Sequence, residues 1–371
     1  MNLFSRRDFL KTAVTLLSAY PLLQPVAEAA EIKRRSLTDV AMPGKPEPLA
    51  DPASENNALR FYVVGDWGWY GAKLQPNASV QDGDDLAKNA KGEITVSKGM
   101  AAFAVKRKPD AIISVGDNFY SYGVKSVKDP RFATTFEEAH DAPSLQVPWY
   151  VALGNHDYRG SVQAQIDYTK ISKRWNMPAR YFTFSKTAPD GTVAQFFILD
   201  TSPFHTNLAK GGHSDVGVQD KEAQLAWLEK ELSASKATWK ILAGHHPIWT
   251  GGVRRDIKEQ DLDKILPPIM KKHGVQLYLC GHEHDSQHIE RDGIHNFLMG
   301  NGGDMRPTGT TEGSRYAESR LGFGHLTITA KSLRADFIDA SGEVRHTAIL
   351  SSAAPAAVTP ATASAPAAVT A

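Results

Sequence analysis

The chain has 371 residues, of which 42% are hydrophobic and 22% are charged, the composition of a globular protein with a large core. Its formal net charge of +1 falls to about 0 when residues 1–29 are set aside, because that segment carries three basic and two acidic side chains. A neutral chain gives no electrostatic reason to expect binding to nucleic acid or to an anionic membrane surface. The single cysteine, Cys280, excludes an intrachain disulfide.

The N-terminus predicts an export signal over residues 1–29. Residues 5–11 read SRRDFLK, a short apolar stretch follows, and Ala27-Glu28-Ala29 fits a cleavage site. Paired arginines in this setting are typical of the twin-arginine route, which exports proteins that have already folded. The alternative is an amphipathic N-terminal helix, but Pro21 and the brevity of the apolar stretch argue against it and against a membrane span. We therefore expect the twin-arginine export machinery as a partner and a periplasmic or secreted location.

One large domain is predicted between two segments of different composition. Residues 30–58 are rich in proline, alanine and charge and predict a linker, whereas residues 351–371 form a low-complexity tail that we expect to be disordered. Neither a linker nor an internal repeat interrupts the sequence of residues 59–350. Within them, apolar runs typical of strands recur at 59–66, 110–117, 147–155, 193–201, 239–246, 275–282 and 294–301.

Helical patterns lie between many of these runs, at residues 84–105, 131–140, 161–174, 219–234 and 260–273. Strands that alternate with helices and read as nearly continuous apolar runs predict an α/β fold whose sheets are covered on both faces. After Gly322 the pattern changes to alternating polar and apolar residues. This change predicts antiparallel strands that close the domain.

Five of the predicted strands end in glycine followed by polar side chains. These ends are Gly65-Asp66, Gly116-Asp117, Gly154-Asn155-His156-Asp157, Gly244-His245-His246 and Gly281-His282-Glu283-His284. Because ligands gather at the carboxyl ends of strands in an open α/β sheet, we expect these side chains to share one cleft. Each end alone is weak evidence, since Gly-Asp is most often a turn or a helix cap. Their joint occurrence behind five apolar strands argues against coincidence.

The side chains at these ends predict a metal site. They are carboxylates, an amide oxygen and imidazoles without a thiolate, so hard or borderline ions are favoured over a cysteine-bound zinc or an iron–sulfur cluster. Six groups already exceed what one ion needs: Asp66, Asp117, Asn155, His245, His282 and His284. Two ions bridged by one carboxylate, ~3.5–4 Å apart as in two-metal hydrolytic sites, are the economical arrangement.

The series GDWG, GDNFY, GNHDY, GHHP and GHEH resembles the calcineurin-like metallophosphoesterases and, within them, the small purple acid phosphatases of the tartrate-resistant type. The resemblance runs from about Arg60 to about Gly303 and includes QLAWLEKELSASKATWKILAGHHPIW, well outside the candidate ligands. It implies a four-layer α/β/β/α sandwich of two mixed sheets flanked by helices. It also implies an enzyme that hydrolyses phosphoric ester bonds.

The resemblance further assigns the metal ligands. It implies Fe(III) bound by Asp66, Asp117, Tyr120 and His284, and a divalent Fe, Zn or Mn ion bound by Asp117, Asn155, His245 and His282. Tyr120 lies three residues after the bridging Asp117, where the purple enzymes have a tyrosine that binds Fe(III) as phenolate and gives the colour. A phenolate is a hard anionic donor that favours Fe(III), whose bound water is more acidic than that of a divalent ion. The alternative is that Tyr120 only packs beside the cleft.

The mechanism that the resemblance implies is hydrolysis of phosphomonoesters by a hydroxide generated at the metal pair, without a phosphoenzyme. His156 is expected to protonate the leaving alcohol or to stabilise charge on the phosphate. Asp157 is expected either to orient His156 through a hydrogen bond or only to close the turn. His246 stands where the family often has an aromatic residue, and it either contacts the substrate or contributes nothing.

Two other functions stay open at this point. A phosphodiesterase of the same superfamily, acting on nucleotides or phospholipid head groups, would use the same metals and differ only in its substrate loops. A non-catalytic metal-binding or adhesion module would be expected to have lost a ligand or the general acid, yet all seven ligand positions and His156 are present. We therefore expect a small phosphate ester as substrate, with no nucleic acid partner and no stable insertion into a membrane.

Overall fold

The computed structural model describes residues 42–50, 57–71, 86–205, 215–255 and 261–352 of the chain. The predicted export signal at 1–29 lies outside these residues, as do most of the predicted linker and tail. The α-helices of the described residues are α1 (Leu86–Ala104), α2 (Val162–Tyr168), α3 (Lys221–Ala234) and α4 (Leu262–His273).

Two mixed sheets of seven strands each form the centre of the fold in the described residues. Their strands are β1 (Leu59–Val64), β2 (Ala111–Ser114), β3 (Trp149–Val151), β4 (Trp175–Asn176), β5 (Phe182–Thr187), β6 (Val193–Ile198), β7 (Trp239–Ala243), β8 (Leu277–Cys280), β9 (Ser286–Arg291), β10 (Ile294–Met299), β11 (Ser314–Glu318), β12 (Gly322–Ile328), β13 (Ser332–Asp339) and β14 (Val344–Ser351). The first sheet has the order β14-β13-β12-β1-β2-β3-β4, and the second has the order β11-β9-β10-β8-β7-β6-β5.

In each sheet, the strands that are followed by the candidate site residues run parallel to one another. In the first sheet β1, β2, β3 and β4 run parallel, whereas β12, β13 and β14 are added antiparallel, as the alternating pattern after Gly322 predicts. In the second sheet β6, β7, β8 and β10 are parallel. The antiparallel strands β5, β9 and β11 complete that sheet.

Neighbouring residues of one strand show how the layers stack. On β1 the Phe61 ring packs against Phe196 of the second sheet, with ring centroids 4.7 Å apart, whereas the Tyr62 ring packs against Phe103 of α1 at 6.0 Å. Because successive strand side chains point to opposite faces, the first sheet lies between α1 and the second sheet. On β6 the same alternation places Phe197 in a second hydrophobic cluster with Leu228 of α3 and with side chains of α4. The predicted four-layer α/β/β/α sandwich is confirmed.

Two helical predictions differ from the structure. The segment 131–140 forms a π-helical turn at Phe132–Glu138, and the helix predicted over 161–174 ends at Tyr168. The second helix ends early because Arg174 reaches back to the π-helical turn, with its Nη2 donating to Glu137 Oε2 at 2.6 Å. Residues 170–174 therefore turn toward β4 instead of continuing α2.

The carboxyl ends of the parallel strands from both sheets meet at one edge. The backbone nitrogen of Gly65, just after β1, donates to the carbonyl oxygen of Met299 at the end of β10 (2.9 Å). The carbonyl oxygen of Gly65 in turn accepts from the nitrogen of Gly302 (3.1 Å). These bonds tie the first sheet to the second at the edge where the polar strand ends were expected to converge.

Candidate metal centre

Four oxygen and nitrogen donors from three strand ends form a first group at this edge, which we call the first donor group: Asp66, Asp117, Tyr120 and His284. The Tyr120 hydroxyl oxygen lies 2.9 Å from Asp66 Oδ1, 3.0 Å from Asp117 Oδ2 and 3.2 Å from His284 Nε2. His284 Nε2 is also 3.4 Å from Asp66 Oδ1. Tyr120 therefore lies among the charged side chains of the cleft.

A second donor group lies on the other side of Asp117: Asp117, Asn155, His245 and His282. Asp117 Oδ2 is 3.3 Å from His245 Nε2, which is 3.2 Å from Asn155 Oδ1. His282 Nδ1 lies 3.0 Å from the same Asn155 oxygen and 3.3 Å from His245 Nε2. The structure thus brings all seven predicted ligands together, with one Asp117 oxygen common to both groups.

The tautomers of His245 and His284 show whether these groups can bind metal ions, because a coordinating nitrogen must carry a lone pair. The Nδ1 atom of His245 donates to the carbonyl oxygen of Val115 (2.9 Å), and Nδ1 of His284 donates to Asp304 Oδ2 (2.9 Å). In the neutral rings, Nε2 of each histidine therefore presents a lone pair to carboxylate, phenol or amide oxygens. Lone pairs that converge in this way are satisfied by a cation.

The spacing of the donors fits the same conclusion. Neighbouring donor atoms within the two groups are 2.9–3.4 Å apart. Two ligands bound side by side to one ion at about 2.1 Å lie roughly 3.0 Å apart in octahedral geometry. Both groups are therefore compatible with one ion each, and Asp117 is placed to touch both.

The pKa values of His245 and Tyr120 at this edge also fit the binding of cations. Burial lowers the pKa of His245, but the carboxylates of Asp117 and Asp66 outweigh burial and raise it to about 9. Burial, then the charges of Asp117 and Asp66, raise the pKa of the Tyr120 phenol well above its usual value. A metal ion would replace the proton on His245 and release the proton of Tyr120.

Two glycines of the strand-end pattern are required by close approach between the loops. A Cβ atom on Gly154 would lie 2.2 Å from Asp117 Oδ1, and one on Gly281 would lie 2.4 Å from Asp66 Oδ2. Asp66 and Asp117 themselves adopt left-handed backbone angles, with φ of 57° and 54°. The side chains of one loop thus occupy the space that the glycines of another leave open.

His156 and Asp157 occupy different environments. Nδ1 of His156 donates to the carbonyl oxygen of Ser121 (2.8 Å), and its Nε2 lies 4.0 Å from Asp117 Oδ2. The buried Asp157 carboxylate instead accepts from the backbone nitrogens of Gly154 (2.8 Å) and Asn118 (3.1 Å) and from nearby side-chain amides. Of the two roles that the sequence left open for Asp157, these hydrogen bonds fit closure of the turn, and none to His156 is found among the described residues.

Three residues that support the donors had no such role in the sequence prediction. Asp304 fixes the ring of His284, and the signal for it was a further polar strand end, GNGGD after β10. The Trp69 ring stacks on Tyr120 at 3.7 Å with an interplanar angle of 9°. The Thr201 hydroxyl oxygen accepts from the backbone nitrogens of His245 (3.2 Å) and His246 (3.0 Å). His246 itself lies behind His245, completely buried.

Comparisons with known proteins agree with this geometry. A family model for calcineurin-like phosphoesterases matches residues 59–286, more than half of the chain. Tartrate-resistant acid phosphatase type 5 of Sus scrofa is 37% identical over 308 residues, which cover 77% of this chain and 84% of the relative. Purple acid phosphatase 7 of Arabidopsis thaliana is 33% identical over 323 residues, which cover 83% of this chain and 91% of the relative. The chain belongs to the purple acid phosphatases.

Membership in this family places the protein among the enzymes that hydrolyse phosphoric ester bonds and supports a phosphomonoester as the substrate class. It also implies a dinuclear metal centre, which the two donor groups fit.

Among solved structures, GAP50, the anchor in the inner membrane complex of Plasmodium, matches with a TM-score of 0.65 and 24% identity over 80% of this chain and 90% of that chain. That likeness shows the fold alone. Within the described ranges, no helix is both long and apolar enough to cross a membrane.

Proposed function

We propose that the protein is an exported acid phosphatase that hydrolyses phosphomonoesters at a centre of two metal ions. The position of Asp117 supports this most directly, because its Oδ2 is 3.0 Å from the Tyr120 hydroxyl and 3.3 Å from His245 Nε2. A carboxylate oxygen shared by two donor groups is the device that holds two ions close together.

The composition of the two groups favours different ions. The first donor group contains three oxygen donors, of which two are carboxylates and one is a phenol, and only one nitrogen. The second contains the shared carboxylate, a neutral amide oxygen and two imidazoles. We propose Fe(III) in the first group, because a hard trivalent ion matches hard anionic oxygens, and a divalent Fe, Zn or Mn ion in the second.

The catalytic roles follow from what surrounds the donors. When bound, the ions would lower the pKa of water to supply a nucleophile at acidic pH and would offset the charge of the phosphate. His156 is held by Ser121 and packs 4.3 Å from the Tyr120 ring centroid, with Nε2 toward Asp117. We propose that Nε2 of His156 protonates the leaving alcohol, which requires the imidazolium form because the hydrogen on Nδ1 is already donated to Ser121.

The visible absorption spectrum of the purified, iron-loaded protein tests the proposal. We expect a broad purple band that is lost in Tyr120→Phe, because only a phenolate–Fe(III) contact gives this band. Tyr158→Phe is the matched control, since Tyr158 is equally buried but belongs to neither donor group, and it should keep the band. A colourless wild-type protein that contains iron would refute the role of Tyr120 and reduce the proposal to a general metallophosphoesterase.

The substrate class is tested with one monoester and one diester, 4-nitrophenyl phosphate and bis(4-nitrophenyl) phosphate. We expect hydrolysis of the monoester at acidic pH and little of the diester. Activity on the diester alone would favour the phosphodiesterase reading. Activity on neither, in a protein that has bound both metals, would favour a non-catalytic module.

Export is proposed from residues 1–29, which are outside the described part of the chain. The double substitution of Arg6 and Arg7 by lysine should retain the full-length protein in the cytoplasm, because the twin-arginine route requires the arginine pair. Fractionation of cells that express the two forms measures this. Equal export of both forms would contradict the route.

A further inference from the structure

Three histidines lie side by side next to the second donor group, and only one of them belongs to it. His205, His246 and His282 each offer a ring nitrogen, and these three atoms lie within 4.8 Å of one another. The ring centroid of His246 is 5.2 Å from that of His205 and 4.5 Å from that of His282. We call the space that these nitrogens surround the histidine pocket.

The hydrogen bonds of Thr201 determine which ring nitrogen of His246 carries the hydrogen. The Thr201 hydroxyl oxygen accepts from the backbone nitrogens of His245 (3.2 Å) and His246 (3.0 Å), which uses both of its lone pairs. Its own hydrogen is therefore donated to His246 Nδ1, 2.9 Å away. Because Nδ1 acts as the acceptor, the neutral His246 ring carries its hydrogen on Nε2.

Among the described residues, the Nε2–H group of His246 has no hydrogen-bond acceptor. The side chain is completely buried. Buried polar groups are nearly always paired, and an exception inside a cleft indicates a ligand.

The neighbours of His246 favour an anionic ligand. Nδ1 of His282 faces the second donor group, 3.0 Å from Asn155 Oδ1. If Nδ1 coordinates a metal ion through its lone pair, the hydrogen of the neutral ring is on Nε2. Arg254 adds a positive charge that Glu283 partly offsets, since Nη1 of Arg254 donates to the carbonyl oxygen of His282 (3.2 Å) and lies 3.3 Å from Glu283 Oε2. N–H donors and a guanidinium around one space attract an oxygen anion and repel a cation.

We propose that His246, together with His205 and His282, binds an anionic oxygen of the substrate in the histidine pocket. The proposal rests on the phosphatase function proposed above and extends it to a substrate contact specific to this chain. Two sources of that oxygen share the same chemistry. It belongs either to the phosphoryl group that is transferred or to a second anionic group on the leaving alcohol.

Calorimetric binding to the metal-loaded protein distinguishes the two sources with inorganic phosphate and the non-hydrolysable methylenediphosphonate as probes. His246→Phe keeps a ring but removes the donor, and His246→Gln keeps an N–H group near the place of Nε2. If the oxygen is phosphoryl, His246→Phe weakens both probes about tenfold, the effect of one hydrogen bond to a charged group. If it belongs to the leaving group, only methylenediphosphonate is weakened. In both cases His246→Gln restores most of the affinity.

His140→Phe is the control for removing a buried imidazole. His140 is also buried, its ring nitrogens have no hydrogen-bond partner among the described residues, and it packs between Trp67 and Trp149. It should bind both probes as the wild type does. Unchanged affinity for both probes in a folded His246→Phe protein would overturn the proposal. So would a wild-type content of three metal ions per chain that falls to two in this variant, because the pocket would then hold a cation. A wild-type protein that binds both probes but hydrolyses no ester would refute the phosphatase function and leave the pocket testable.

Discussion

The two donor groups share Asp117 but are enclosed differently. Around the first group, the Trp69 ring covers Tyr120 at 3.7 Å, and both side chains are completely buried. Around the second group, His282 is partly exposed and the cover consists of His246 and other imidazoles. The first group is thus closed by an apolar surface that excludes ligands, and the second opens toward hydrogen-bond donors. We infer that the substrate approaches the two groups from the side of the second.

The pKa shifts favour a bound proton in both groups. In the first, burial and the adjacent carboxylates keep the Tyr120 phenol protonated by raising its pKa. In the second, the carboxylates of Asp117 and Asp66 bring the pKa of His245 to about 9 against the effect of burial, so this ring takes up a proton. Metal binding to either group therefore releases a proton, and metal affinity is expected to fall as the pH is lowered.

Asp117→Asn removes the carboxylate charge that both donor groups share. It is expected to have the largest effect on activity and metal content. Both ions lose a charged ligand, so activity should fall by more than about a hundredfold, beyond the loss known for residues that only support a ligand. The metal content, measured by elemental analysis, should fall below two ions per chain. Asp336→Asn, which alters a buried carboxylate outside both groups, controls for damage to the fold. Normal content of both metals in Asp117→Asn would refute the bridging role.

Asp304→Asn is expected to affect only the first donor group, because Asp304 contacts His284 of that group. Its Oδ2 accepts from Nδ1 of His284 at 2.9 Å, and the neutral amide would orient that ring without its charge. We expect the affinity for the ion of the first group to fall about 10- to 100-fold while the second group is unaffected. Titration with a chelator, followed by the purple band and by elemental analysis, measures both. Earlier loss of the divalent ion than of iron would contradict the assignment.

That the donors lie at one edge could be predicted from the sequence, because their chemistry and their place in the fold are both local features. Asp66, Asp117 and Asn155 directly follow apolar runs, and parallel strands bring their carboxyl ends to one edge whatever the details of packing. The same rule, applied to GNGGD after β10, would have found Asp304. Its role depends on a contact with His284, twenty residues away, which no local pattern specifies.

Residues whose role depends on which partner they meet were less predictable. For Trp69, an aromatic residue in a loop, no local pattern specifies its partner, and the structure shows a stack on Tyr120. Asp157 had two open roles because its choice of Gly154 and Asn118 as partners is set by how the loops pack. The glycines were predicted to allow turns, yet Gly154 is required by the approach of the Asp117 carboxylate from another loop.

Glu93→Gln is expected to have the smallest effect, on stability rather than on chemistry. Glu93 Oε2 accepts from the backbone nitrogens of Trp69 and Tyr70, both at 2.6 Å, and so holds the loop that covers the first group; Oε1 lies 3.9 Å from His140 Nε2. Burial raises the pKa of Glu93 well above 4.5 despite these bonds.

A raised pKa means that the folded protein binds this proton more tightly than the unfolded chain does. The contribution of Glu93 to stability is therefore complete below about pH 4.5 and is lost as the pH rises toward the folded-state value. Glutamine does not ionise, so the wild-type melting temperature should fall more between pH 5 and pH 8 than that of Glu93→Gln, by about 2–4 °C for each ~1 kcal/mol. Parallel melting curves across this range would show that Glu93 is ionised in the folded protein and that the cover over Tyr120 carries a buried charge.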